Sequence, residues 1–172
     1  MRARLVSAAR ALFVEQGFAA TGTPQIVGRA EVTRGALYHH FTDKADLFDA
    51  VVVAEAEALG AEISRTSQGL QDGARNFFRA MAVPGRARLL LLEGPAVLGR
   101  VRMDEVDAGG GRRSLVEGLR VAMPDATKAE QEALAVVLSA AFDRAALAIA
   151  DGAKPAPYTK AMARLMTVIR DA

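Results

Sequence analysis

The sequence has 172 residues, of which 51% are hydrophobic, and its formal net charge is +2. A chain of this length and composition can bury a core and is not a disordered tail. The absence of cysteine excludes disulfides, thiol catalysis and zinc–thiolate sites. Alanine and leucine dominate and β-branched residues seldom follow one another, so the composition favours helices over strands.

Two helices are predicted at the start of the chain. Apolar residues at helical spacing mark the first, over 2–16, and Gly17 ends it. Thr23 is predicted to be the N-cap of the second, with Pro24 in the first helical position, where its missing N–H costs nothing. This second helix runs only to about Ala30.

A short third helix and a long fourth helix follow. Thr33 is predicted to cap the third helix, which covers about 34–40. Asp43 begins the fourth, and Asp46 stands three residues later, where the acid of a capping box belongs. The fourth helix is predicted to reach Ser64 or beyond.

The rest of the chain shows helical patterns of uneven length. Gly94 and Pro95 predict a break, and the three glycines 109–111 predict a flexible loop. These glycines lack the preceding strand and the following Lys-Ser/Thr of a phosphate-binding loop. Helices are predicted over 71–83, 86–93, 95–107, 112–123, 128–150 and 158–170. The sequence therefore predicts an all-α protein.

Few residues could carry chemistry. The two histidines, His39 and His40, are adjacent and point about 100° apart on a helix, so they cannot bind one metal together. No Gly-x-Ser-x-Gly element is present, and carboxylate pairs such as Asp104 and Glu105 are interpreted as a solvated face. The sequence predicts no enzyme, no metal site and no cofactor.

The stretch 23–44 is the most position-specific part of the chain. Two short helices joined by about three residues match the helix-turn-helix plan. Residues 1–44 carry six basic and three acidic residues, a mild basic bias. Small, polar and hydrogen-bonding residues face outward from the N-terminal half of the second short helix, which allows close approach to base edges. DNA binding is favoured over the alternative, a helical hairpin with a solvated face.

The same stretch resembles the DNA-binding domain of the tetracycline-repressor (TetR) family of bacterial regulators. The resemblance covers about residues 2–52, while the remainder is similar only in its helical character and length. It departs from the family at Glu31, where a turn glycine is usual, and at Val27, where alanine is usual. The shared residues are Phe13, Gly17, Thr23, Ile26, Ala30, Val32, Thr33, Gly35, Leu37, Tyr38, His40, Phe41, Lys44 and Leu47.

The resemblance implies a three-helix helix-turn-helix domain over 1–46 and a helical effector-binding and dimerisation domain over 47–172. In this arrangement Arg34 is the best candidate for a guanine contact, and Leu37, His40 and Phe41 hold the recognition helix in place. The implied DNA-contacting residues are Thr23, Thr33, Arg34, Gly35, Ala36, Tyr38, His39 and Lys44.

The second half is predicted to pair two copies and to bind a small molecule. Helix 128–150 is apolar nearly all round, which suits a dimer interface; the alternative is the buried central helix of a monomer. The predicted interface residues are Leu134, Val137, Leu138, Ala141, Met162, Leu165, Met166 and Ile169. The predicted pocket residues are Phe77, Phe78, Met81, Leu90, Arg102, Met103, Phe142 and Asp143.

The resulting prediction is a cytoplasmic homodimeric regulator, most simply a repressor, released from a palindromic DNA operator by a small-molecule effector. The alternative is a helical small-molecule-binding protein that has lost operator binding. No signal-peptide pattern follows the N-terminal basic residues. The apolar window 134–150 is interrupted by Asp143 and Arg144, so it predicts a buried helix and no membrane partner.

Overall fold

A computed structural model describes residues 1–66 and 70–170 of the chain. Within these stretches all regular structure is helical, which confirms the predicted fold class. The elements are α1 (Arg2–Ala20), α2 (Thr23–Ala30), α3 (Arg34–His40), α4 (Lys44–Thr66), α5 (Leu70–Met81), α6 (Arg86–Arg88), a π-helical turn (Leu89–Glu93), α7 (Gly94–Gly109), α8 (Gly111–Ala122), α9 (Lys128–Ala150) and α10 (Pro155–Arg170).

The chain forms two compact units. The first, called the N-terminal unit, comprises Met1–Glu55 and Pro84–Met103, and the second, the C-terminal unit, comprises Ala56–Val83 and Asp104–Ala172. Segment 84–103 therefore packs with the start of the chain. The domain boundary predicted after residue 46 separates a DNA-binding part from an effector-binding part. Units that are defined by packing do not test this division, so the boundary stays a prediction.

Helix α1 is longer than predicted and bends where its end was expected. Gly17 has φ 84° and ψ 165°, after which the helix resumes as far as Ala20. The bend brings the ring of Phe18 to 5.7 Å from Phe13 and 5.0 Å from Phe48, measured between centroids. Edge and tilted contacts of this kind add to the burial of the three rings.

The break predicted at Gly94-Pro95 is wrong, because the chain stays helical there. A proline ring in a helix clashes with the carbonyl four residues earlier. The widened π turn relieves this clash, and the N–H of Gly94 donates to the carbonyl of Leu89. A sharp bend occurs later, at Gly99, where φ is 81° and ψ is 164°.

The flexible loop predicted at glycines 109–111 is also wrong. Helix α7 reaches Gly109 and α8 begins at Gly111, with Gly110 buried between them. A Cβ atom on Gly110 would lie 3.0 Å from the carbonyl oxygen of Ala56 in α4, and one on Gly60 would lie 3.3 Å from the carbonyl oxygen of Gly110. The glycines therefore allow two backbones to touch.

The C-terminal unit is built on α9. A capping box begins this helix, since the N–H of Thr127 donates to Glu130 at 2.8 Å and the N–H of Glu130 donates to the Thr127 hydroxyl at 3.3 Å. Helix α10 begins at Pro155 rather than 158, because proline is tolerated in a first helical turn. By length and composition alone α9 could cross a membrane, a test that the core helix of a soluble protein also passes.

Candidate nucleic-acid interface

The turn between α2 and α3 is closed by backbone hydrogen bonds. The N–H of Glu31 donates to Gly28 at 3.2 Å and that of Val32 donates to Val27 at 3.1 Å, the pattern of a Schellman motif. Glu31 has φ 52° and ψ 48°, so the residue that replaces the family's glycine lies in the left-handed region. An L-residue there costs about 1 kcal/mol. The exposed Arg4–Glu31 pair, at 3.4 Å, offsets little of this cost.

Helix α3 begins as predicted. The Thr33 hydroxyl accepts the N–H of Ala36 at 3.2 Å, which confirms Thr33 as the N-cap. Leu37 and Phe41 are buried and anchor the helix. Thr33, Arg34 and Gly35 are exposed and Ala36 is partly exposed, so the N-terminal half of α3 presents an accessible face.

Thr23 is not the N-cap of α2, which corrects the sequence interpretation. The cap is Gly22, whose N–H donates to the side chain of Gln25 at 2.8 Å. The Thr23 side chain instead hydrogen-bonds with Tyr38 of α3, and this bond, followed by one with Arg34, lowers the pKa of the Tyr38 phenol. The guanidinium of Arg34 lies 5.5 Å from the centre of the Tyr38 ring. These three predicted contact residues therefore form one exposed polar cluster.

Lys44 has a role that the sequence did not reveal. Its ammonium donates to the carbonyls of Phe18 at 2.8 Å and Thr21 at 2.9 Å, and it lies 4.1 Å from the centre of the Phe18 ring. Carbonyls at a helix end lack partners within the helix, and this is a signal that could have suggested the contact. An ammonium has three N–H donors, so one remains for a phosphate, and that contact stays a prediction.

The two histidines lie at the end of α3. His39 is exposed, His40 is half-buried, and their ring centroids are 5.1 Å apart. In the part of the chain that the structure describes, no three His, Cys, Asp or Glu side chains are grouped to hold a metal ion. His39 stays a predicted contact to the DNA backbone.

A buried ion-pair network lies behind the helix-turn-helix. Glu55 of α4 accepts from Arg10 Nε at 2.6 Å and from Arg86 Nε at 3.0 Å. Burial raises the pKa of Glu55, but the hydrogen bonds from both arginines outweigh it and leave that pKa below its usual value. Sequence reasoning missed this network, since no pattern links residues 10, 55 and 86.

The predicted pocket residues are divided between the two units. Phe142 lies 4.9 Å from Phe77 and 5.7 Å from Phe78, between ring centroids, so the C-terminal unit has a cluster of three buried rings. Met81 and Asp143 belong to the same unit.

Asp143 is chemically unusual. Burial, and then the negative charge of Asp107, raise its pKa to about 7. Asp107 itself accepts from the Ser139 hydroxyl at 3.1 Å and has a pKa raised mainly by burial. The nearby guanidinium of Arg112 donates to Asp104 at 2.7 Å.

Leu90, Arg102 and Met103 belong to the N-terminal unit instead. Arg102 Nε and Nη2 donate to the two carboxylate oxygens of Asp49 at 2.7 and 2.9 Å. This bidentate ion pair uses two N–H donors of the Arg102 guanidinium. Arg102, which the sequence predicted as a pocket residue, therefore has a structural partner within the chain.

The predicted dimer residues belong to two different faces. Leu138, Met162 and Met166 are buried inside the single chain, so they pack within their own unit, and their assignment to an interface stays a prediction. Val137 and Leu165 are exposed by 64% and 40%, and Leu134, Ala141 and Ile169 are partly exposed. The exposed residues Val136 and Val168 were missed, although Val168 lies three residues after Leu165 and so shares its side of α10.

Comparison with known proteins agrees with this geometry. A family model described as bacterial regulatory proteins of the tetR family matches residues 5–51, and one described as a tetracyclin repressor-like C-terminal domain matches residues 67–171. The second match covers more than half of the chain. The chain therefore belongs to the TetR family of transcriptional regulators and carries a helix-turn-helix DNA-binding domain.

Individual relatives are similar over different extents. The transposon Tn10 TetC protein of Escherichia coli is 42% identical over 69 residues, which are 40% of this chain and 34% of that protein. The chain thus spans about a third of this curated relative. A TetR-family regulator from Shewanella sp. PV-4 has a TM-score of 0.72 at 23% identity, covering 96% of this chain and 95% of that one. LfrR of Mycobacterium smegmatis, solved with proflavine, has a TM-score of 0.64 at 19% identity, covering 96% and 93%.

Proposed function

We propose that the protein is a cytoplasmic, non-enzymatic repressor that binds a palindromic DNA operator as a homodimer and is released by a small-molecule effector. The exposed N-terminal half of α3, with the Thr23–Tyr38–Arg34 cluster beside it, is the observation that carries this proposal. A recognition helix placed in the major groove reads bases with residues of this kind.

The contacts fall into two classes. Thr33, Gly35 and Ala36 allow α3 to approach base edges closely, and Arg34 reaches a guanine once it leaves the ring of Tyr38. Phosphates are contacted by the remaining predicted residues, which are Thr23, Tyr38, His39 and Lys44. The first class gives sequence preference and the second gives affinity.

An exposed apolar face on α9 and α10 supports dimerisation. Val136 and Val137 on α9 and Leu165 and Val168 on α10 are all at least 40% exposed in the single chain. A patch of this kind marks a surface that another protein covers. A two-fold partner would set two recognition helices one turn of B-DNA apart, roughly 34–36 Å.

The effector is proposed to be an apolar small molecule that binds in the C-terminal unit, beside the cluster of Phe77, Phe78 and Phe142. LfrR, which shares the fold, was solved with proflavine. An effector releases DNA when it binds the dimer with wrongly spaced recognition helices more tightly than the DNA-ready dimer. No cofactor is required for this mechanism.

Selection of duplexes from a random-sequence DNA pool, followed by gel shift, tests the proposal. A bound palindrome is expected, and Arg34→Ala should weaken its binding about 10- to 100-fold and relax the preference at one position in each half-site. Arg120→Ala, which removes an exposed arginine on α8, is the matched control and should leave binding within about twofold. If no palindrome is enriched, or if Arg34→Ala behaves as the control does, the regulator proposal fails.

The left-handed conformation of Glu31 favours a second candidate, a small-molecule-binding protein that no longer binds an operator. Glu31 adds strain and a carboxylate to the turn that precedes α3. This candidate predicts that Glu31→Gly restores selection of a palindrome where the natural chain enriches none. The proposed regulator predicts that the natural chain enriches one without the change.

A further inference from the structure

The backbone of Phe18 joins two distant segments of the N-terminal unit through its N–H and its carbonyl. Since α1 bends at Gly17, the Phe18 N–H is free to donate to a side chain, and it donates to Glu93 Oε2 at 3.1 Å. The carbonyl of the same residue accepts from Lys44 at 2.8 Å. Glu93 is the last residue of the π turn and Lys44 is the first residue of α4.

Glu93 is fixed on both sides of this contact. Its other carboxylate oxygen pairs with Arg88 Nη2 at 2.6 Å, and its side chain is only 16% exposed. A Cβ atom on Gly17 would lie 2.5 Å from Arg88 Nη2, so this ion pair lies directly against the bend. The contact therefore joins α1, at Gly17 and Phe18, to the later segment that carries Arg88 and Glu93.

The position of Glu93 depends on the π turn. A π turn holds one residue more than an α-helical turn, so a return to the α register rotates the preceding residues by about 100° and moves them by about 1.5 Å relative to α7. A shift of that size would carry Glu93 beyond hydrogen-bonding distance of Phe18. A return to the α register would also restore the clash between the ring of Pro95 and the carbonyl four residues earlier, so the π turn is what keeps Glu93 at Phe18.

Lys44 connects the backbone of Phe18 to the recognition helix. It follows the end of α3 at His40 by four residues, and its ammonium is held by the carbonyls of Phe18 and Thr21 and by the ring of Phe18. A displacement of the Phe18 backbone would therefore displace the start of α4 and the end of α3.

We propose that Glu93 is a positioning residue that couples the Leu89–Glu93 π turn to the recognition helix, through the backbone of Phe18 and through Lys44. This coupling rests on the proposed function, since it describes how DNA binding and the stability of the π turn influence each other. It predicts that operator binding at α3 stabilises the π turn, because thermodynamic coupling is reciprocal.

Amide hydrogen exchange on the full chain, with and without the selected duplex, tests this coupling. In the natural sequence the duplex should slow exchange of the amides of residues 89–94. Glu93→Ala should abolish that response and weaken operator binding about 5- to 30-fold. Glu93→Gln keeps an oxygen that can accept the Phe18 N–H, so it should restore most of both. Glu57→Ala, which removes an exposed carboxylate of α4, should match the natural sequence.

The outcomes separate the coupling from the proposed function. If a palindrome is bound but residues 89–94 do not respond to it, the coupling is overturned and the regulator stands. If Glu93→Ala lowers thermal stability alone and keeps both the response and the operator affinity, Glu93 is only structural and the coupling is overturned. If Glu93→Ala does not fold, Glu93→Gln is the test. The coupling then requires the duplex to slow exchange of residues 89–94 in Glu93→Gln, and unchanged exchange overturns the coupling. A selection that enriches no duplex overturns the regulator and the coupling together.

Discussion

Glu55 is buried in the N-terminal unit and Asp143 is partly buried in the C-terminal unit, and their surroundings shift their pKa values in opposite directions. Glu55 in the N-terminal unit receives hydrogen bonds from Arg10 and Arg86, so its pKa is held below the usual value. In the C-terminal unit, Asp143 faces the carboxyl of Asp107 and its pKa rises to about 7. Among the described residues no cation pairs with Asp143.

This contrast separates a carboxyl group that two cations stabilise from one that a second carboxyl group destabilises. The N-terminal unit has to hold α3 in one position against DNA, and paired buried charges fix α1, α4 and α6 relative to one another. An unmatched carboxyl destabilises its surroundings and leaves them able to respond to whatever changes its charge. We therefore expect the two units to differ in rigidity and in their response to pH.

Removal of Glu55 should give the largest loss of stability. Glu55→Ala removes the carboxylate to which both Arg10 and the buried Arg86 donate, and breaking a buried pair costs about 3–5 kcal/mol. Urea unfolding followed by circular dichroism measures the loss. Glu57→Ala on the same helix is the control and should change the free energy of unfolding by less than about 0.5 kcal/mol. If Glu55→Ala and Glu57→Ala lower the free energy of unfolding equally, the ion pairs of Glu55 with Arg10 and Arg86 do not stabilise the fold.

A charge placed on the exposed face of α9 should separate the two copies. Val137→Arg buries a guanidinium in the proposed dimer, and we expect the dimer dissociation constant to rise about 30- to 100-fold, or about 2–3 kcal/mol. Light scattering over a concentration series measures it. Val121→Arg on α8, where the valine is 80% exposed, should leave the dimer intact. If the natural chain is monomeric at micromolar concentration, the proposed dimer is overturned.

Asp143→Asn should stabilise the C-terminal unit in a pH-dependent way. The folded-state pKa of Asp143 is raised above the unfolded value, so the natural chain loses stability as pH rises from about 4 to about 7. The neutral variant escapes this loss, and its advantage should grow by about 2 kcal/mol between pH 5 and pH 8.

Thermal unfolding at the two pH values measures this effect. Asp151→Asn, at the exposed end of α9, is the control and should show no such trend. A constant difference between Asp143→Asn and the natural chain would mean that the carboxyl of Asp143 is not desolvated.

Glu31→Gly should give the smallest effect. Glycine adopts φ 52° without strain, so the variant should gain about 1 kcal/mol in free energy of unfolding. Glu31→Ala removes the same carboxylate but keeps the strained backbone, so it should gain much less. If both variants gain equally, the charge of Glu31 is the source of the cost and the backbone is not.

Local patterns predicted the helix-turn-helix closely, because its signals lie within a few residues of one another. The N-cap at Thr33 and the exposed face of α3 each follow from neighbouring residues. Thr23 was misplaced by one position, since Gln25 satisfies the N–H of Gly22 and makes glycine the cap.

Features that depend on residues far apart in the sequence could not be predicted from local patterns. No local pattern brings Arg86 to Glu55 or Glu93 to Phe18. The glycine-proline pair 94–95 predicts a break unless the possibility of a widened turn is considered. On α9 and α10, periodicity shows which residues share a face, but Leu138 and Val137 are neighbours and only packing shows that one is buried and the other exposed.

The glycine triplet 109–111 has a practical consequence for protein engineering. Three consecutive glycines are an obvious place to insert a reporter peptide or to join new termini, because such runs usually lie in loose surface loops. Here the backbone at Gly110 rests against α4 at Ala56 and Gly60. An insertion at Gly110 would push α4 away from the junction of α7 and α8. The turn at Asp151-Gly152 after α9 is exposed and offers a site without such a contact.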